Sequence, residues 1–322
     1  MHKGAAACLC LTLAAGPLAA RDIVLVPPID CDLGSDCYIQ QYVDHDPSGA
    51  AMDFRCSTLS YDTHKGTDFA LKSLEQMRRG VNVTPAAPGT VRATRDGMRD
   101  QVYAPEQNAE MDGRDCCNGL VIDHGNGWST QYCHLKQGSI AVSQGDRVRL
   151  STVIGQVGLS GRAQFPHVQM TLRKDGEVVD PFDPDGQINC ARPDSDTLWL
   201  TPPPYRPGGI LGVGFADAVP EFADIKAGRA AAGSLPENAP ALVVFGFAFG
   251  GRADDQIQLR IDGPDGVFMD KTVTLEKDQA QLFRAVGRKW RRDWTPGTYI
   301  GTVTLLRGGQ VINSEQGSVT IP

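Results

Sequence analysis

A chain of 322 residues, 41% hydrophobic and 21% charged, has enough apolar residues to build more than one core, which excludes wholesale disorder. Lys+Arg 31 against Asp+Glu 38 leaves a net charge of −7, which argues against a nucleic-acid backbone as partner. Gly 36 and Pro 21 favour a turn-rich, mostly β protein over a helical bundle, and beyond the N-terminus no apolar run suffices for a transmembrane helix.

Residues 1–20 open with His2 and Lys3, continue with an apolar run from Ala5 to Gly16 and end in small residues, the layout of a secretory signal peptide. Cys8 and Cys10 leave with it. Residues 21–55 are rich in Asp, Gly and Cys and read as an irregular, disulfide-held segment. Residues 56–190 read as glycine-punctuated strands, with one short helix expected over Leu71–Arg79. Within them, 119–124 and 128–134 flank Gly125-Asn126-Gly127 and form a β-hairpin. The Pro- and Gly-rich stretch 191–235 is expected to be a linker. Residues 236–322 carry several short strands with turns at 263–266 and 308–309, and are expected to form an immunoglobulin-like β-sandwich.

Seven cysteines remain after the leader, and an exported chain favours disulfides over zinc-thiolate sites. Neighbouring strand residues face opposite ways, so only one of Cys116 and Cys117 can reach Cys133 across the hairpin. Cys31 and Cys37 can close a small loop, which leaves Cys56 with Cys190.

Three histidine settings stand out. His64 and Asp68 lie four apart around Gly66, and imidazole with carboxylate is an ordinary zinc donor pair. His134 ends the hairpin. His167 and Gln169 point the same way on an extended strand. His45 reads as a solvated loop residue, His124 as a turn residue, and Tyr132 as hairpin core or a weaker catalytic candidate.

Taken together, HKGTDFAL (64–71), VIDHGNGWSTQYCHL (121–135), GDRVRLSTVIGQVGLSGRAQFPHV (145–168) and RKDGEVVDP (173–181) resemble the LytM/lysostaphin-type zinc metalloendopeptidases, which cut peptidoglycan peptides. The resemblance covers residues 56–185 or so. It implies an antiparallel β-sheet groove domain at 56–190, Zn2+ as cofactor and peptidoglycan peptides as partners. It also implies a secreted, periplasmic setting in a bacterium. His64 and Asp68 match the first two zinc ligands, while His134 and His167 match the catalytic histidines. The third ligand position holds Gln169 where the family has histidine.

An amide oxygen is a poorer zinc donor than imidazole, so the ligand set is incomplete. Two readings follow. One is a peptidoglycan hydrolase acting by zinc–water chemistry if metal is retained. The other is a degenerate LytM-type domain that binds the wall or regulates a separate wall hydrolase. Residues 145–158 also resemble biotinyl and lipoyl carrier domains, but no lysine stands at a hairpin tip between matched strands. No EF-hand spacing is present. Trp290 and Trp294 with Arg288, Lys289, Arg291 and Arg292 form a basic-aromatic cluster, read as either a docking surface or strand packing.

Overall fold

The computed structural model describes residues 23–107, 113, 115–188, 190, 196–289 and 294–322. The expected leader at 1–20 lies outside these residues, as do Trp290, Arg291 and Arg292. The protein is mostly β, with antiparallel sheets. Among the described residues no helix is long and apolar enough to cross a membrane.

The first part of the chain contributes β1 (Cys37–Gln41), β2 (Thr67–Leu71), β3 (Asn82–Val83), β4 (Gly89–Arg95), β5 (Gly119–Gly125), β6 (Trp128–Cys133), β7 (Arg147–Val148), β8 (Gly155–Gln156), β9 (His167–Lys174) and β10 (Glu177–Val179). Seven of them form one sheet in the order β1-β2-β9-β6-β5-β4-β7, and β10 folds back on β9. The period-two pattern of β9 explains its place. Val168, Met170 and Leu172 point into the core, while His167, Gln169, Thr171 and Arg173 share the opposite face. In β6, Trp128, Thr130 and Tyr132 are buried in the same way. Tyr132 is core: its hydroxyl accepts from the Ala86 amide at 2.8 Å and lies 3.0 Å from Thr130 Oγ1. The short helix α1 runs from Leu74 to Arg79, later than expected. Leu71 belongs to β2, and the Ser73 side chain caps the helix by accepting from the Gln76 amide at 3.2 Å.

The second module pairs β11 (Gly209–Ala216), β12 (Ala241–Gly251) and β15 (Gln279–Lys289) in one sheet. The other sheet runs β14 (Gly266–Thr274), β13 (Gln256–Gly263), β16 (Gly297–Arg307), β17 (Gln310–Ile321). The first, second and fifth strands thus face the fourth, third, sixth and seventh, an immunoglobulin-like sandwich. The expectation of a linker over 191–235 fails in its second half. That stretch holds β11 and the helix α2 (Phe222–Ala227), and Ile210 and Phe215 of β11 enter the sandwich core.

The two modules share a core. Every residue of β12 is buried. Leu242, Val244 and Ala248 pack inside the sandwich, while Phe245, Phe247 and Phe249 join the core of the first module. A strand covered on both faces is apolar throughout, as Ala241-Leu-Val-Val-Phe-Gly-Phe-Ala-Phe249 is. Trp294 is buried in the sandwich and donates to the Ala239 carbonyl at 3.0 Å, so the described part of the basic-aromatic cluster includes a core residue.

Three disulfides, Cys31–Cys37, Cys56–Cys190 and Cys116–Cys133, match the pairs reasoned from sequence. Cys116 is the partner of Cys133, and Cys117 is buried beside it outside the disulfides.

Candidate active site

β2 and β9 place Asp68 directly across from Gln169, and β6 adds Cys133 as the next residue in the row. Residues opposite each other in register share a face. Gly66 makes room for the glutamine, since a Cβ there would lie 2.8 Å from Gln169 Cγ and 2.9 Å from the Met170 carbonyl. His64, Asp68, His134 and His167 are all buried at one end of this face. His64 Nε2 is 3.2 Å from Asp68 Oδ1, and His167 Nε2 is 3.8 Å from the same oxygen. The rings of His134 and His167 lie 4.6 Å apart.

All three imidazoles are oriented by backbone carbonyls. His64 Nδ1 donates to Tyr42 O at 2.7 Å, His134 Nδ1 to Ser160 O at 2.7 Å, and His167 Nδ1 to Phe165 O at 2.8 Å. A carbonyl only accepts, so each Nδ1 carries its ring's proton. In the neutral ring, Nε2 is then a lone pair. For His64 that lone pair would meet the Asp68 carboxylate head on, so either a second proton or a cation must stand between them.

The electrostatics follow. Burial pushes His64 down, but the Asp68 charge and its hydrogen bond outweigh this and hold the ring above its usual value. Burial raises Asp68, while His64 and His167 more than offset it and keep the carboxyl below its usual range. His134 has no such direct partner. Burial, with the neighbouring His167, pushes it down to about 4. Gln169, on the same sheet face, works in the opposite direction.

His134 is held firmly. Its φ is +63°, a left-handed conformation uncommon for a residue with a side chain. Its amide donates to Cys116 O at 3.0 Å. The next residue is clamped by buried Asn118, whose carbonyl accepts from the Leu135 amide and whose Nδ2 donates to the Leu135 carbonyl at 3.1 Å. Ser160 Oγ donates to the same carbonyl at 2.9 Å.

An open groove of about 560 Å³ runs from the site along Gln169, Thr171 and Arg173. The Cys116–Cys133 disulfide and Gln131 line it from β6, and Arg173 donates to Gln131 Oε1 at 3.0 Å. Beyond Lys65 and Arg173 lies a second, acidic hollow of about 710 Å³, lined by His64, Asp44, Asp180 and Asp183.

The five residues singled out from sequence, His64, Asp68, His134, His167 and Gln169, therefore come together. Sequence reasoning missed the three carbonyls, Asn118, Ser160 and the groove residues Lys65 and Arg173. Of these only Arg173 carried a signal, being on the same strand face as His167. Two other histidines need correction or detail. His45 is not a solvated loop residue: its Nε2 lies 2.9 Å from Asp180 Oδ2, largely buried. His124 sits on β5, its Nδ1 donating to Pro88 O at 2.8 Å and its Nε2 accepting from Thr130 Oγ1 at 2.8 Å.

The donor chemistry at His64 and Asp68 fits a divalent cation, with lone pairs facing a carboxylate and the opposite ring nitrogen anchored. Among the described residues no three His, Cys, Asp or Glu side chains are grouped to hold an ion. The imidazole and carboxylate donors thus stop at two where three protein ligands are usual for catalytic zinc.

Residues 62–181 match the model of peptidase family M23. The chain is similar to peptidoglycan DD-endopeptidase ShyA of Vibrio cholerae, at 34% identity over 116 residues, 36% of this chain and 21% of that protein. It is similar to the DD-carboxypeptidase/endopeptidase Mpg of Neisseria meningitidis, at 44% over 64 residues, 20% of this chain and 14% of Mpg. The chain thus spans about a fifth or less of these relatives. Among solved structures it is similar to the catalytic domain of the prophage-encoded M23 protein EnpA from Enterococcus faecalis (22% identity, 48% of this chain, 93% of that one, TM-score 0.32). Another is the catalytic domain of lysostaphin from Staphylococcus simulans (18% identity, 44% and 85%, TM-score 0.29). Residues 62–181 of this chain are a peptidase family M23 domain of LytM type.

Proposed function

We propose that this is an exported, periplasmic cell-wall protein whose groove takes peptidoglycan peptides. In this reading it hydrolyses them slowly, because zinc is held weakly. The observation that carries the reading is the anchoring of three Nδ1 atoms on carbonyls, which leaves the Nε2 atoms of His64 and His167 facing the buried Asp68. His64 and Asp68 would hold the ion, with the Gln169 amide oxygen as a third and weaker donor. When bound, zinc supplies Lewis acidity to the scissile carbonyl and to the attacking water. His134 stays neutral at ordinary pH, so its Nε2 can accept a proton. His167, beside it, orients the water, its Nε2 lone pair accepting a hydrogen bond from it. The groove residues Thr171, Gln131 and Arg173 bind and align the peptide. The expected domain plan belongs to this reading: a leader removed at the N-terminus, a disulfide-held segment, the M23 domain, and a sandwich that adds a docking surface.

A second reading is favoured by one residue. Gln169 stands where the family has histidine, and an amide is a poorer zinc donor than imidazole. A domain without the ion would bind the wall, or a wall hydrolase, without cutting.

One experiment separates the two. Zinc affinity by competition with a chromophoric chelator, and release of peptides from purified sacculi, are measured for the parent and for Gln169→His. Losing even an outer partner of a zinc ligand costs about 10–100-fold in affinity. The variant should therefore bind zinc at least 100-fold more tightly and turn over faster than a parent with weak, measurable activity. A parent with no zinc uptake and no turnover at any zinc concentration overturns the hydrolase reading and leaves the binding one.

A further inference from the structure

The junction between the two modules encloses a second cavity, of about 270 Å³, away from the groove. Its walls are apolar: Leu71 and Leu74 from the β2–α1 connection, Phe165 from the loop before β9, and Phe247 from β12. Two lysines, Lys72 and Lys226, stand in its lining, and no acidic residue does. The acids that act on Lys72, Glu315 and Asp36, do not line the cavity. Burial lowers the Lys72 ammonium below its usual value, so an anion placed beside it would relieve a cost already present. Lys226 is steered by the Phe222 ring, 5.0 Å from its Nζ. The remaining polar residues are amides. Gln281 spends its Nε2 on Tyr38 and Gln40, at 2.8 and 3.3 Å, which leaves its Oε1 to accept. Gln164 is exposed at the opposite side.

From these observations we infer that the cavity binds the C-terminal residue of a peptide, an aliphatic side chain carrying a free α-carboxylate. The apolar walls take the side chain, Lys72 and Lys226 take the carboxylate, and Gln281 and Gln164 pair the last peptide amide. The amides decide between two apolar anions. A fatty acid has no peptide group for them to satisfy. The site is also placed to affect the active-site end of the sheet. Phe165 forms one cavity wall, its ring packs 4.5 Å from the His167 ring, and its carbonyl holds His167 Nδ1. A side chain seated against Phe165 therefore bears on the imidazole behind it.

The test uses the full chain and does not depend on hydrolysis or zinc, so its failure is separate from failure of the M23 reading. Binding of fluorescein-labelled Gly-Gly-Ala-Leu is measured by anisotropy, against the same peptide as a C-terminal amide. The free acid should bind at least tenfold more tightly than the amide. Lys72→Met with Lys226→Met should remove that preference while leaving amide binding unchanged. Ala223→Trp, which fills the cavity from α2, should abolish both. The His167 ring resonance, assigned by its loss in His167→Gln, should shift on titration. Equal binding of acid and amide in the parent, needing no variant to fold, overturns the proposal. So does binding that survives Ala223→Trp, an unmoved His167 resonance, or displacement by octanoate more tightly than by the peptide.

Discussion

Asp183 shows how one buried group makes stability depend on pH. It is 6% exposed, and its Oδ2 finds no hydrogen-bond partner. Burial, with Asp185 adding to it, pushes the carboxyl from 3.8 up to about 6. A carboxyl raised in the folded state contributes its stability while neutral. That contribution is complete below the unfolded value near 3.8 and is lost as pH rises through 6. Asp183→Asn keeps the shape without the charge. Its melting temperature should exceed the parent's at pH 7.5, and the gain should shrink to nothing as pH falls towards 3.8. A gain independent of pH would show that ionisation is not the cause. At the same scale, Gln169 was legible as a departure from the family pattern, since spacing alone places it beside His167. Its packing over Gly66 was not legible, because that depends on which way a long side chain turns.

At the level of elements, the β5–β6 hairpin is tied shut by Cys116–Cys133, which are 17 residues apart. Closing a loop of that length stabilises by about 3 kcal/mol, mainly by restricting the unfolded chain. The double variant Cys116→Ala, Cys133→Ala should lose about that much in denaturant unfolding. It should also loosen His134, whose amide is held by the Cys116 carbonyl. Hydrogen exchange at His134 and Leu135 should rise more than in β9. Equal protection in parent and variant would assign the positioning to Asn118 and Ser160 alone. Strand β9 is the better-insulated element. Met170 is fully buried, and Met170→Ala should cost about 2–5 kcal/mol. The hairpin and the alternation of β9 were both readable from period two and the Gly-Asn-Gly turn. The start of α1 was misjudged because Leu71 is apolar in either element, and only the Ser73 cap marks the boundary.

For the whole molecule, the decisive feature is the shared core. Phe249 is 1% exposed and its ring lies 4.6 Å from that of Tyr38, across the junction of the modules. Gln281 donates to Tyr38 and Gln40 donates to the Ala280 carbonyl across the same boundary. The two modules should therefore unfold together, in one calorimetric transition. Phe249→Ala should lower that transition by about 3–5 kcal/mol and keep it single. Two resolved transitions in the parent would contradict a common core. Sequence composition pointed the other way, towards a Pro/Gly-rich linker. Prolines and glycines report local backbone preference, and they say nothing about whether the strand that follows is covered on one face or two.

What the sequence offered by itself was the sheet-rich fold, the Cys31–Cys37 and Cys56–Cys190 pairs, a bond from Cys133 to one of Cys116 and Cys117, and a family resemblance that singled out five site residues. The fold and the disulfides rest on local rules, periodicity, turn residues and spacing along strands, and the site residues on the resemblance. Tertiary structure alone decided that His64 and His134 are each oriented by a carbonyl far away in sequence, those of Tyr42 and Ser160. It also decided that His45 pairs with Asp180, and that β12 joins two modules through one core. Each of these needs a partner brought close by chain folding, and a backbone carbonyl has no residue identity to read. That is why the site's donors were visible in advance and their orientation was not.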